Sequence, residues 1–302
     1  MTAVTSVSYE LKQRPRVAVL SAAAGVLLFA GAAVQAAGPQ AKVQELTVQL
    51  LVTNKRGSLE IIGALVNGLG LLALGAVLAF LFKAVKARRP ESAQALWIVA
   101  IVGAVLAAIG GIAYGVVITD KAHQFATHGA QTYPQANHLM SASALAVFQI
   151  MDYAGELLLA VAFVLVSMQA MRVGLLTRFM GYLGIIGGVL TLFVITPVPV
   201  VQFYWLAALA YLLSGRWPNG LPPAWRTGKA ERWPSAAEAR EQQARARAQR
   251  GKAGGRAPAL TRDAVPASAA AGDGASAEMD RPTQTRSSTS RSGARRKRKR
   301  RR

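Results

Sequence analysis

Six long apolar windows occupy the first two thirds of this 302-residue chain. A bilayer core of ~30 Å needs about 20 consecutive apolar residues in a helix. Strands do not explain the windows, because they are too long and do not alternate between apolar and polar residues. Helices satisfy their backbone hydrogen bonds inside lipid, so we predict an all-α, polytopic transmembrane bundle. The six predicted spans cover residues 17–38, 59–82, 95–119, 142–171, 175–196 and 197–213, of which the last is the shortest.

The region after residue 213 is polar and strongly basic. Of the 35 Lys and Arg residues in the chain, 22 follow Leu213, and the formal net charge of the whole chain is +21. Residues 251–302 are rich in Ala, Gly, Ser and Arg and cannot bury a core, which predicts disorder. The predicted parts are an N-terminal tail (1–16), the six spans (17–213), a juxtamembrane segment with a short polar helix (214–250) and a disordered Arg-rich tail (251–302).

Basic residues near the span ends indicate the orientation of the protein, because cytoplasmic connections carry an excess of Lys and Arg. With six spans, four basic clusters fall on one side. This pattern puts both termini in the cytoplasm. The clusters are Lys12, Arg14 and Arg16; Lys83, Lys86, Arg88 and Arg89; Arg172 and Arg178; and the C-terminal tail.

Residues 17–38 have a second interpretation. The basic residues, the apolar run and the small residues around Ala36 also resemble a secretory signal peptide, whose cleavage would leave five spans. The apolar run is longer than the ~7–15 residues usual for a signal peptide core. This length favours a span that is retained in the mature protein.

The fourth predicted span contains the most informative polar residues. Gln149, Asp152 and Glu156 are spaced i, i+3 and i+7, so they share one helical face. A charged carboxylate near the bilayer centre costs roughly 2.5–3.5 kcal/mol. Two acids one turn apart also repel each other when both are ionised, so at least one is expected to carry a proton much of the time. We interpret the three residues as an intramembrane polar site.

The sequence leaves two roles open for this site. It has a functional role, as a proton or cation relay or as an anchor for a cationic ligand, or it forms a structural hydrogen-bond network that fixes the helix register. Glu60, at the start of the second span, is interpreted as a solvated helix end. Six neutral residues in or near other spans are possible hydrogen-bond partners, namely Asn67, Tyr114, Tyr182, Thr191, Gln202 and Tyr204.

The connections on the opposite side carry no recognisable motif. Residues 39–58 form either a short helix on the membrane surface or an ordered loop that caps the bundle. Residues 120–140 contain the three histidines, His123, His128 and His138, whose spacing fits no standard metal motif. The chain has no cysteine, and hydrolase, metalloprotease and nucleotide-binding motifs are missing. We therefore predict no metal site, no cofactor and no enzymatic activity.

The basic region contains two candidate membrane-binding features. Trp217, Trp225 and Trp233 lie among Arg and Pro residues just after the last span, which is typical of an interfacial anchor. The chain ends in eight consecutive basic residues, which would bind anionic lipid headgroups at ~1 kcal/mol per residue. Nucleic acid is a less favoured partner, because no aromatic residue follows Trp233 to stack on bases. The basic run is Arg295, Arg296, Lys297, Arg298, Lys299, Arg300, Arg301 and Arg302.

These features support two functional hypotheses. The first is a small transporter or ion-coupled protein that uses Asp152 and Glu156. The alternative is a non-catalytic membrane scaffold or regulator whose tail binds anionic lipid, nucleic acid or a partner protein.

Two stretches of the chain also resemble known proteins. Residues 172–190, RVGLLTRFMGYLGIIGGVL, resemble a segment of an uncharacterised bacterial family of integral membrane proteins with a domain of unknown function. The stretch RWPNGLPPAW (216–225) and the following WPS (233–235) are similar to tails of membrane proteins from high-GC bacteria. The resemblance implies about six helices and a location in the plasma (inner) membrane of a bacterium. It supplies no activity and no catalytic residues.

Overall fold

The computed structural model of the protein describes residues 3–41, 45–91, 95–192, 199–217, 221–231, 238, 240–241 and 244–248. The predicted tail over residues 251–302, with its terminal basic run, lies outside the described residues, as does Trp233. The helices are α1 (Ala3–Ala36), α2 (Leu46–Arg56), α3 (Ser58–Arg88), α4 (Leu96–Thr127), α5 (Tyr133–Met140), α6 (Ser143–Arg172), α7 (Arg178–Leu192), α8 (Val200–Leu213) and α9 (Pro223–Thr227).

Four helices are long and apolar enough to cross a membrane: α3, α4, α6 and the Glu10–Ala36 part of α1. Each also exposes large apolar side chains, including Val19, Leu69, Ile109 and Leu157. A helix that is apolar both towards its neighbours and away from them is typical of a membrane span. The predicted all-α membrane bundle is therefore confirmed for these four helices.

The predicted fifth and sixth spans correspond to shorter helices. Helix α7 has 15 residues and α8 has 14, which at 1.5 Å per residue gives about 22 and 21 Å, against the ~30 Å of a bilayer core. The two helices contact each other, and the Gln202 side chain of α8 donates a 3.1 Å hydrogen bond to the Gly187 carbonyl of α7.

Helices α1 and α8 are neighbours in the bundle. The Ser21 hydroxyl donates to the Leu206 carbonyl at 2.8 Å, and the Arg14 guanidinium donates to the Leu213 carbonyl at 2.9 and 3.2 Å. The beginning of α1 and the end of α8 therefore lie at the same end of the bundle, here named the terminal end.

The opposite end, here named the cap end, is covered by α2 and α5. Leu50 of α2 is buried against Ile118, Ala122 and Phe125 of α4 and Ala136 of α5. The sequence left two interpretations of residues 39–58, a short surface helix or an ordered loop that caps the bundle. The structure combines features of both, because the connection contains the helix α2 and that helix caps the bundle.

At the terminal end, a buried network joins three distant parts of the chain. The Arg88 guanidinium at the end of α3 pairs with the Glu10 carboxylate of α1 at 2.7 and 3.1 Å. It also donates to the Ala224 carbonyl of α9 at 2.9 and 3.0 Å. The Arg88 side chain is only 1% exposed. A buried charge requires such pairing, so this network fixes α1, α3 and α9 together.

Candidate functional site

A cavity of about 260 Å³ lies between α3, α4 and α6, and three carboxylic acids line it. Its wall includes Gln35 at the end of α1 and Glu60 at the start of α3, and it reaches Glu156 near the middle of α6. It therefore extends from the centre of the bundle towards the cap end. The polar side chains in its wall are Gln35, Glu60, Asn67, Tyr114, Asp152 and Glu156.

Small residues create the space for this cavity. Gly68, Gly111 and Gly115 line it together with three alanines. A Cβ atom added at Gly111 would lie 3.3 Å from Oδ1 of Asp152, so the missing side chain leaves room beside that carboxylate. Small residues also let the backbones of neighbouring helices approach each other closely in lipid.

Asp152 and Glu156 lie one turn apart on the face of α6 that lines the cavity. Within the described ranges, neither carboxylate forms an ion pair with a Lys, Arg or His side chain. Intramembrane carboxylates usually face a bundle interior or a wet cavity and mark ion or proton pathways. The arrangement can therefore bind and release a proton, or hold a small cation through carboxylate oxygens.

The structure does not bring Gln149 into this site. Its side-chain amide donates to the Tyr153 hydroxyl at 3.2 Å, on an exposed part of α6, and it does not line the cavity. The prediction that Gln149 belongs to the polar site is wrong. The i, i+3, i+7 pattern keeps the three residues within about 60° of one another around the helix. It therefore predicts the direction of each side chain, but not whether the cavity extends to the turn of α6 that carries Gln149.

Glu60 is the residue that the sequence-based interpretation missed. It lies in the cavity wall, and its carboxylate is 3.2 Å from the Arg56 guanidinium. Glu60, Ala64, Asn67 and Leu71 all line the cavity at helical spacing. This periodic row, with an acid at its start and an amide within it, was the available sequence signal.

Of the six predicted neutral partners, Asn67 and Tyr114 line the cavity. The Thr191 hydroxyl and the Gln202 amide instead donate to the Gly187 carbonyl at 3.0 and 3.1 Å. Tyr182 and Tyr204 are exposed. These last four contribute nothing to the acidic cavity.

The histidines lie apart from the cavity, on α4, α5 and the chain between them. Nδ1 of His123 is 3.4 Å from Oδ1 of Asn54, and Nδ1 of His128 is 2.7 Å from Oγ1 of Thr127. No group of three or more His, Asp or Glu side chains that could hold a metal ion occurs in the part of the chain that the structure describes.

The predicted tryptophan anchor is wrong for Trp225. Its side chain is 1% exposed, its indole nitrogen donates to the Leu175 carbonyl at 3.0 Å, and its ring stacks on Phe80. The Arg88 guanidinium lies 5.2 Å from the same ring. Trp225 therefore docks α9 onto the protein core and does not face lipid. Trp217 is partly buried beside Tyr211.

Comparisons with models of known protein families, with curated proteins and with solved structures find no match for this chain. The resemblance of residues 172–190 and of the Trp-rich segment to bacterial membrane proteins stays a prediction. The geometry of the acidic cavity is therefore the basis for assigning a function.

Proposed function

We propose that this protein is an ion-coupled transporter of a bacterial inner membrane, in which Asp152 and Glu156 bind a proton or a small monovalent cation. The observation that carries the proposal is a cavity inside a membrane-type helical bundle that is lined by these two carboxylates. A buried carboxylate is costly unless it is neutralised. A proton or a bound cation supplies that neutralisation, and its exchange supplies the transport step.

The proposed topology has six crossings with both termini in the cytoplasm. An even number of crossings requires the beginning of α1 and the end of α8 to lie at one end, which agrees with the Arg14–Leu213 contact. The basic clusters of the sequence favour the terminal end as the cytoplasmic one. In this topology α7 and α8 are the fifth and sixth crossings.

The test is proton flux in proteoliposomes that contain a pH-sensitive dye and carry a valinomycin-imposed potential. We expect Glu156→Gln to lower the flux at least about tenfold, because an amide cannot exchange a proton within the membrane. Sodium and potassium flux are measured in parallel, so that a cation other than the proton is detected.

Glu91→Gln is the matched control, because the Glu91 side chain is 85% exposed and lies outside the cavity. It makes the same chemical change and should leave the flux unaltered. A folded Glu156→Gln protein with the flux of the wild type for all three ions would reject the proposal.

The scaffold alternative is favoured by a different observation, the eight consecutive basic residues at the C-terminus. We expect full-length protein in neutral proteoliposomes to tether phosphatidylglycerol vesicles, and deletion of residues 251–302 to abolish this tethering. Tethering is followed by light scattering, with 1 M salt as the control that screens the charges. Tethering that survives the deletion would remove the basis of the scaffold alternative. The ion flux of the full-length protein and of the protein without residues 251–302 should be the same.

A further inference from the structure

The side chain of Arg56, the last residue of α2, contacts two residues in the wall of the acidic cavity at its cap end. Its Nη2 atom lies 3.2 Å from Oε2 of Glu60, and it also donates to the backbone carbonyl of Gln35. Glu60 and Gln35 both line the cavity. The Arg56 and Glu60 side chains are 14% and 22% exposed, so a largely buried positive charge is held against the carboxylate nearest the cap end.

The position of Arg56 is set from outside the cavity. Helix α2 is fixed to α4 through the buried Leu50. The chain after α1 packs on the arginine stem, since a Cβ atom added at Gly38 would lie 2.9 Å from Cγ of Arg56. These contacts hold the guanidinium at the cap end of the cavity and keep it away from Asp152 and Glu156, with which it forms no ion pair.

The guanidinium is incompletely bonded at this position. Its Nε atom is buried and has no hydrogen-bond partner among the described residues. An unsatisfied buried donor costs about 1–3 kcal/mol, and more when it is charged. The unpaired Nε lowers the net stabilisation of the guanidinium at this position, so the ion pair between Arg56 and Glu60 is one that a competing cation can replace.

We propose that Arg56 is a tethered cation at the entrance of the acidic cavity, and that an entering monovalent cation has to displace it from Glu60. This inference rests on the proposed function, in which Asp152 and Glu156 bind that cation. It assigns two further residues to the same pathway, with Glu60 as the entry carboxylate and Arg56 as the residue that restricts access. The fixed positive charge repels a divalent cation twice as strongly as a monovalent one, so Arg56 also favours monovalent substrates.

The absence of cysteine from the chain makes a direct test possible. Asn67→Cys places a single thiol in the cavity wall. Its reaction rate is measured in proteoliposomes with two membrane-impermeant thiosulfonates of opposite charge, the cationic MTSET and the anionic MTSES. We expect MTSET to react faster than MTSES, because the cavity is lined by carboxylates.

Adding Arg56→Gln should raise the MTSET rate at least about threefold, since the competing positive charge is gone. The MTSES rate should stay the same or fall. Lys55→Gln is the matched control, because Lys55 is the adjacent cation and is exposed. This control should change both rates less than about twofold, because an exposed charge is screened by solvent and salt.

A second variant keeps the test valid if Arg56→Gln does not fold. Glu60→Gln, with Arg56 retained, should lower the MTSET rate at least about threefold, because the entry carboxylate is removed. An MTSET rate that falls or stays constant in folded Arg56→Gln, or that is unaltered in Glu60→Gln, overturns the proposal. These rates do not depend on flux, so a protein without ion flux that still shows them would reject transport and retain the role of Arg56.

Discussion

Replacing Gly155 by valine is expected to prevent stable assembly of the bundle. Gly155 lies where α6 crosses α4, and an added Cβ atom would overlap the backbone nitrogen of Ala107 and lie 2.8 Å from the Gly103 carbonyl oxygen. The obstructing atoms are backbone, so no side-chain rotation can relieve the overlap. Overpacking costs typically 1–3 kcal/mol when side chains can shift, so we expect at least about 3 kcal/mol here.

The measurement is thermal unfolding in detergent, together with the fraction of protein that elutes as a single species in size exclusion. Ala154→Val is the control, because Ala154 is the preceding residue of α6 and is exposed. It adds bulk to the same turn and should shift the unfolding temperature little. A Gly155→Val protein that unfolds at the wild-type temperature would show that α4 and α6 are not in close contact.

Replacing Arg88 by methionine should be similarly damaging for an electrostatic reason. The change leaves the Glu10 carboxylate, which is also buried, without its cation. Removing one partner of a buried ion pair costs about 3–5 kcal/mol. The Ala224 carbonyl loses its donor as well, and Trp225 loses the guanidinium beside its ring. We expect a loss of stability in this range, measured by denaturant or thermal unfolding in detergent.

Two further variants test whether the loss of stability comes from the buried ion pair or from any substitution in this part of the protein. Arg89→Met removes the next arginine, whose side chain is 54% exposed and lies 4.0 Å from Glu91, and an exposed pair contributes at most about 1 kcal/mol. Adding Glu10→Gln to Arg88→Met removes the unpaired charge and should restore part of the lost stability. A double variant less stable than Arg88→Met would contradict the proposed role of the ion pair.

The membrane character of the fold could be predicted from sequence, but the helix bounds could not. Apolar windows located α3, α4 and α6 because lipid contact requires apolar side chains along a whole span. Helix α4 continues to Thr127, beyond the predicted end at residue 119, because Asp120, Lys121 and His123 are polar yet compatible with helix. Hydropathy locates the end of the apolar, lipid-facing residues. The helix itself ends where its backbone hydrogen bonds end, which in α4 is eight residues later.

The acidic site could be predicted only as far as one helix determines it. The i, i+4 spacing places Asp152 and Glu156 on one face, whatever packs against it. The position of Glu60 depends on α4 and α6, which pack against α3 across the cavity, and on Arg56 of α2. Arg56 is only four residues before Glu60 and is the one neighbour that the local sequence could suggest. The helices α4 and α6 opposite Glu60 are not specified by the residues around it, so it was interpreted as a solvated helix end.

Trp225 shows the same limit at the other end of the bundle. Tryptophan among arginines after a span is typical of an interfacial anchor, and the same composition also suits a segment that docks on protein. The difference depends on Leu175, Phe80 and Arg88, which lie at least 50 residues away in the sequence. Only the packing of distant helices decides which role the residue takes.

The contacts at the terminal end also impose an order on biosynthesis. The Leu213 carbonyl that accepts from Arg14 lies 199 residues later in the chain, and Ala224 lies 136 residues after Arg88. At 5–20 residues per second, a ribosome needs about 10–40 s to synthesise the first of these intervals. During that time the Arg14 guanidinium must stay hydrated at the membrane surface, which its long apolar stem allows. Helix α1 can pair with α3 earlier, through Glu10 and Arg88, but its contact with α8 and the link between Arg88 and α9 form only after those later helices have been made.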